Sequence, residues 1–270
     1  MSTGRPAAGS GPGDPITVFV VSWGRPLYLW ACLDALYRLT RSAARIVMLD
    51  NAHPDPLVGE VIAGFERRGL FAEVVRFPTN SFQNIRSAYH ERLPGIGPLH
   101  VYLESDCVIG ERPGCWLAEM RRIMEANPRL GMLGSLIEFE DFVAAGTALP
   151  LVRGDAAAAD FLAKLKSPER ALADDPRWTD PSRDFFVTAP PCPIGNPPGR
   201  LMMLRTELMQ RLGFQVDGVL AAMVRDLGLE PAVTPLVRHR HLSLLNIFDY
   251  AGCDAAERDA FFASPGPGSA

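Results

Sequence analysis

Two carboxylates, Glu104 and Asp106, are the residues of this chain best suited to chemistry; they close the stretch His100-Val101-Tyr102-Leu103-Glu104-Ser105-Asp106-Cys107. His100–Leu103 reads as a short apolar strand, and strand side chains two apart share a face. Adjacent carboxylates repel unless a cation, usually a divalent metal, sits between them. A strand end that merely enters a solvated loop is the competing reading, and this pair alone does not separate the two. His239 and His241 are also spaced by two on an extended segment. They share a face and could complete a metal site, or could be a surface histidine pair. Asp50 could accept hydrogen bonds from a base or ribose, or serve as a turn residue. Arg25 and Arg86 could meet a diphosphate; singly, each also suits an exposed salt bridge. Asp217 opens a helix, where the macrodipole favours an acid, so capping accounts for it without chemistry.

The elements that must position these residues follow a regular alternation. Ile16–Val21 (ITVFVV) is a continuous β-branched apolar run, as in a strand buried on both faces. Ser22-Trp23-Gly24-Arg25 breaks it, and Pro26 suits the first turn of a helix carrying Leu29, Trp30, Leu33, Leu36 and Tyr37. Arg45–Leu49 is a second strand ending on Asp50-Asn51, followed by a helix over roughly Leu57–Arg68. Ala72–Phe77 predicts a third strand, Phe82–Arg92 a helix and His100–Leu103 a fourth strand. Trp116–Ala126 predicts a helix and Leu130–Ile137 a further strand. After an irregular stretch come a strand over Arg200–Leu204, a helix Glu207–Leu212 capped by Thr206 and closed by Gly213, and a helix Asp217–Leu227 stopped by Gly228. A strand over Ala232–Val237 precedes Arg238-His239-Arg240-His241 and an apolar helical end, Leu242–Tyr250. This alternation implies an α/β domain: an open, mostly parallel sheet with helices on both faces. Ligands of such sheets lie beyond the carboxyl ends of the strands, and those ends carry Ser22 and Arg25, Asp50 and Asn51, Asn80, and Glu104 with Asp106. All are polar.

The chain has 270 residues, 47% hydrophobic and 21% charged, with a formal net charge of −4. That suits one large soluble domain and argues against a nucleic-acid partner, since no Lys/Arg block stands out. The 5 cysteines are scattered without a C-x-x-C pair, so reduced cytoplasmic thiols are the simpler reading. Residues 1–15 lack the apolar core of a secretory signal and read as a disordered segment; residues 264–270 read as a flexible tail. No apolar run is long enough to span a bilayer, and packing on the core is favoured over peripheral membrane contact for the Leu242–Phe248 end. Residues 16–263 then form a single domain. Within it, about 142–198, rich in Ala, Asp and Pro, forms an embellishment over the sheet mouth, with a helix near Ala157–Lys166. No P-loop, nucleophile elbow or Gly-x-Gly-x-x-Gly follows the first strand.

The ordered set ITVFVVSWGRPLYLWACLDAL, IVMLDN, HVYLESDCVI and GRLMMLRTELMQRLGF resembles the family-2 type of GT-A glycosyltransferases over most of residues 16–241. The resemblance implies a GT-A fold and a metal-dependent, inverting hexosyltransferase, moving a sugar from a nucleotide-sugar donor to an acceptor hydroxyl. It implies Mg²⁺ or Mn²⁺ on the donor diphosphate, held by Asp106 with Glu104. It also implies nucleobase contact by Asp50, a catalytic base at Asp217, and His241, or else His239, beside the metal. Ser22, Arg25, Asn80 and Arg86 would line the donor site. Three positions depart from the pattern: Glu104 stands where Asp is usual, Val216 where a second acid is usual, and Gly24 where Asn is common. A nucleotidyltransferase of similar fold, or a nucleotide-sugar-binding relative without turnover, are the rival readings.

Overall fold

The computed structural model describes residues 14–22, 24–53, 55–137, 192–193, 200–215 and 217–242, and the statements below concern these residues. In chain order they form β1 (Ile16–Ser22), α1 (Pro26–Leu39), β2 (Ala44–Asp50), α2 (Pro56–Arg67), β3 (Glu73–Arg76), α3 (Phe82–Arg92) and β4 (Leu99–Glu104). These are followed by β5 (Cys107–Ile109), α4 (Trp116–Ala126), β6 (Leu130–Ile137), β7 (Cys192–Pro193) and β8 (Leu201–Arg205). The described chain closes with α5 (Thr206–Leu212), α6 (Asp217–Asp226) and β9 (Glu230–His241). The strands make one sheet in the order β3-β2-β1-β4-β8-β6-β9-β5, with β7 also paired to β9.

Residue alternation explains why this sheet is covered on both sides. Val18 and Val20 of β1, Ile46 and Met48 of β2, and Val101 and Leu103 of β4 face one apolar layer, built with α1, α2 and α4. The intervening Phe19, Val47, Leu49 and Tyr102 face a second layer, built with α3, α5 and α6. A central strand apolar at all but Thr17 satisfies both layers at once, which is what the ITVFVV run encodes. β3, β2, β1, β4, β6 and β9 run one way. β8, β5 and β7 oppose them.

Several local expectations are corrected. The chain does not leave the sheet after Glu104: it turns through Ser105-Asp106 and continues as β5, antiparallel to the end of β9. Thr206 is not the cap of α5. It is the first helical residue, Arg205 holds the cap position without a side-chain bond, and the Thr206 hydroxyl points into the core instead. β9 runs to His241, so Arg238–His241 belong to the strand. His239 and His241 are buried, which removes the surface-pair reading. The embellishment at 142–198 apart from β7, the terminal segments and the Leu242–Tyr250 helix past its first residue lie outside the described residues. Among the described residues no helix is long and apolar enough to cross a membrane, and Cys32, Cys107 and Cys115 are free thiols.

Candidate donor and metal site

Parallel pairing of β1 with β2 sets Ser22 directly opposite Asp50 at the carboxyl edge. The Ser22 hydroxyl, fully buried, donates to Asp50 Oδ1 at 3.1 Å. Burial raises the Asp50 carboxyl above the usual range, while the Ser22 hydrogen bond and the Arg76 charge hold it down. Beyond β2, buried Asn51 ties the next two loops together. Its Nδ2 donates to Asn80 Oδ1 at 2.6 Å, and its Oδ1 accepts from the Ser81 N–H at 3.0 Å. Ser81 in turn caps α3. Asn80 itself is exposed. Arg86 is exposed on α3 with its guanidinium beside Gly213, and no described contact joins it to the acids at the strand ends.

The loop after β1 is strained in a useful way. Gly24 and Arg25 both have positive φ, 59° and 52°. Gly is favoured at the first of these, and a Cβ there would stand 2.3 Å from the His53 ring, so Asn at this position would have to displace it. Arg25 accepts the strain as the cap of α1, its carbonyl receiving the Tyr28 and Leu29 N–H groups. A bulky residue held at positive φ is an outlier of the kind that gathers at functional sites. Its guanidinium lies over the Tyr28 ring and 3.6 Å from Asp106 Oδ2.

Glu104 and Asp106, which the sequence places on one strand face, have different partners. Glu104 ends β4 and is ion-paired with Arg200, while the Tyr102 hydroxyl lies 3.4 Å from its other oxygen. Burial raises the Glu104 carboxyl, the Arg200 guanidinium opposes that, and the neighbouring Asp106 charge adds to the rise. Asp106 sits in the turn, nearly buried, with Oδ2 3.2 Å from His241 Nε2. The β5–β9 register, Cys107 opposite His241, brings this pair together across the chain.

His239 lies two residues back on β9 and is fully buried. The Ser135 hydroxyl can donate to the Leu201 carbonyl at 3.4 Å, so it accepts from His239 Nδ1–H at 2.6 Å. That assigns the tautomer: Nε2 carries the lone pair. Nε2 has no hydrogen-bond partner among the described residues. Burial, with help from His241 and Arg200, lowers the ring pKa to about 3, so it is a neutral imidazole at ordinary pH. Neutral nitrogen and carboxylate oxygen are the donors a first-row divalent ion takes. Among the described residues no three His, Cys, Asp or Glu side chains converge as a preformed cage. Asp106 with His241 therefore fits an ion that draws most of its ligands from phosphate oxygens and water, as Mg²⁺ habitually does. Asp217 opens α6 as expected, but its side chain lies outside the described residues.

Sequence reasoning missed Arg200 and Ser135. Arg200 abuts a strand-like run after Pro197-Pro198-Gly199, but no local pattern says that β8 inserts antiparallel beside β4.

No protein-family model matches the chain, and no curated protein matches it in sequence. Solved structures match it in fold. A mannosyltransferase from Pyrobaculum calidifontis, in complex with GDP-Man and Mn²⁺, aligns over 85% of this chain and 57% of its own, with TM-score 0.56 and 15% identity. GalNAc-T7 with UDP, GalNAc and Mn²⁺ aligns over 86% of this chain and 44% of its own, with TM-score 0.57 and 13% identity. The chain thus spans about half the length of each of these structures. It has the GT-A fold.

Proposed function

We propose that this protein is a divalent-metal-dependent, inverting glycosyltransferase that moves a hexosyl group from a nucleotide-sugar donor to an acceptor hydroxyl. One observation carries the reading: Asp106 lies between His241 and Arg25 at the edge of a GT-A sheet, beside β1 and β2, which end in the Ser22–Asp50 pair. The two similar structures hold GDP-Man or UDP together with Mn²⁺, which supports the same ligand class here.

In this reading Asp50, steadied by Ser22, accepts from the nucleoside, and the Asn51–Asn80 bridge shapes the loops around it. Asp106 and His241 would hold Mg²⁺ or Mn²⁺, which when bound neutralises charge developing on the leaving diphosphate. Arg25 adds a fixed positive charge at the same edge. Asp217, at the start of α6, takes the proton from the acceptor hydroxyl as that oxygen attacks the anomeric carbon from the side opposite the diphosphate. The free thiols Cys32, Cys107 and Cys115 support a reducing, cytoplasmic setting.

The test is a thermal-shift screen of nucleoside diphosphates, nucleotide sugars and nucleoside triphosphates, with and without Mn²⁺, followed by turnover assays. Metal-dependent stabilisation by one nucleotide sugar, lost in Asp106→Asn, is the expected result. Asp217→Asn should keep that binding and lose transfer. Stabilisation by triphosphates alone would favour nucleotidyl transfer. Donor binding without turnover toward any hydroxyl acceptor would favour a binding protein.

A further inference from the structure

We infer that Arg25 and the divalent ion compete for one oxygen of Asp106, and that ion binding passes the Arg25 guanidinium to the donor diphosphate. The inference rests on the donor reading above and adds a coupling to it: the metal site and the phosphate contact share one side chain.

The backbone sets up the contact. The Ser105 N–H donates to the Val21 carbonyl at 3.0 Å, which ties the Asp106 turn to the end of β1 just before Arg25. Residue 25 is then held from both sides. Its carbonyl accepts from the Tyr28 and Leu29 N–H groups, and the His53 ring packs against Gly24 where a Cβ would stand. Arg25 keeps φ 52° and ψ 72° in this setting, a left-handed conformation that a long side chain adopts at a cost. The main chain is pinned, but the guanidinium is held loosely. Its described contacts are Asp106 Oδ2 at 3.6 Å and the Tyr28 ring, 5.5 Å from the centroid. A charge-assisted hydrogen bond would be about 2.7–2.9 Å long; Arg92 and Glu73, at 2.6 Å, make a closed pair by comparison. With 30% of its side chain exposed, Arg25 can turn without entering the core.

Charge decides the exchange. His241 Nε2 lies 3.2 Å from the same Asp106 oxygen, so an ion held by Asp106 and His241 adjoins the atom that Arg25 faces. The carboxylate, with one negative charge, attracts the guanidinium. Once it carries a divalent ion the group is net positive, and attraction becomes repulsion. Arg25 turned away from Asp106 meets the oxygens of the diphosphate that shares the ion, and its planar fork fits two of them.

The experiment follows Mn²⁺ binding to the folded full chain by the paramagnetic resonance signal of free Mn²⁺, with and without UDP or GDP. Calorimetry then measures each diphosphate in saturating MnCl₂. The proteins are wild type, Arg25→Met, Arg25→Lys and Arg25→Gly, with Asp106→Asn setting the background of Mn²⁺ bound elsewhere. Arg25→Gly also suits the positive φ, and it carries the test if Arg25→Met fails to fold. Without diphosphate, Mn²⁺ should bind Arg25→Met and Arg25→Gly about threefold or more tighter than wild type, since a partly exposed ion pair and a like charge are both removed. Arg25→Lys, which keeps a cation, should fall between. In saturating Mn²⁺ the diphosphate that wild type prefers should bind Arg25→Met and Arg25→Gly about tenfold or more weaker. The factor by which that diphosphate tightens Mn²⁺ should shrink in them as well. Mn²⁺ affinity at or below wild type in both variants overturns the inference, while Mn²⁺-dependent diphosphate binding by the wild type keeps the donor reading intact. Tighter Mn²⁺ with unchanged diphosphate affinity overturns it too, because the guanidinium would then not reach the ligand. Failure of the wild type to bind either diphosphate, with or without Mn²⁺, removes this inference and the donor reading together.

Discussion

His100 and His239 are equally buried, yet their surroundings differ in one respect. His100 lies on β4 between α3 and α5. The Thr206 hydroxyl donates to the Gly97 carbonyl at 2.6 Å and so accepts from His100 Nδ1–H at 3.0 Å, leaving Nε2 to accept from the Tyr89 hydroxyl. Every polar atom of that set is paired. Among the described residues His239 is paired at Nδ1 only. An unmet polar atom in the interior costs on the order of 1–3 kcal/mol, so the complete His100 set reads as architecture.

The comparison can be broken at four points. The largest effect belongs to Asp106→Asn, which should lower turnover by about 10²–10³-fold with little change in folding; a loss of folding instead would make the cluster structural. Next comes acid. Burial holds His100 at about 3 when folded against an ordinary value near 6.5. The unfolded chain therefore gains the proton first, and stability is complete above about pH 6.5 and lost as pH falls toward 3. Between pH 6.5 and 4.5 this residue alone should remove about 2–3 kcal/mol. Denaturant midpoints across that range should fall less steeply in His100→Gln. Thr206→Val comes third: it orphans His100 Nδ1–H and should cost about 1–3 kcal/mol in equilibrium unfolding at pH 7.5, with diphosphate affinity unchanged. His239→Leu is the mirror case. Ser135 keeps its Leu201 acceptor, so the stability loss should stay below about 1 kcal/mol, while Mn²⁺-dependent diphosphate binding should drop. A stability loss as large as that of Thr206→Val would erase the contrast between the two histidines.

Legibility in the sequence followed contact distance along the chain. The β1-α1-β2-α2-β3-α3-β4 series was readable because each unit is declared by its own period: continuous apolar strands, then helices with a single apolar stripe. α3, α4 and β6 have the bounds that the pattern predicts. Ser22 and Asp50, 28 positions apart, meet through two neighbouring parallel strands, the sort of pairing that strand–helix alternation implies. Arg200 and Glu104 are 96 positions apart, and His241 and Asp106 are 135 apart. Those contacts depend on antiparallel insertions of β8 and β5, which leave no periodic trace. The Thr206 expectation failed for a related reason. A Thr before an acid looks like a cap locally, but the buried His100 ring competes for its hydroxyl.

The sequence by itself therefore determined the α/β sheet covered by helices on both faces, the polar strand ends and the acids available to them, because residue alternation and helical periodicity are properties of consecutive residues. Tertiary structure alone decided which acid faces which partner: Glu104 toward Arg200, and Asp106 toward His241 and Arg25. It also decided that, among the described residues, His100 is paired at both ring nitrogens and His239 at Nδ1. Partner choice among these polar side chains is set by strand register across distant segments, where a shift of one residue would turn each side chain to the opposite face.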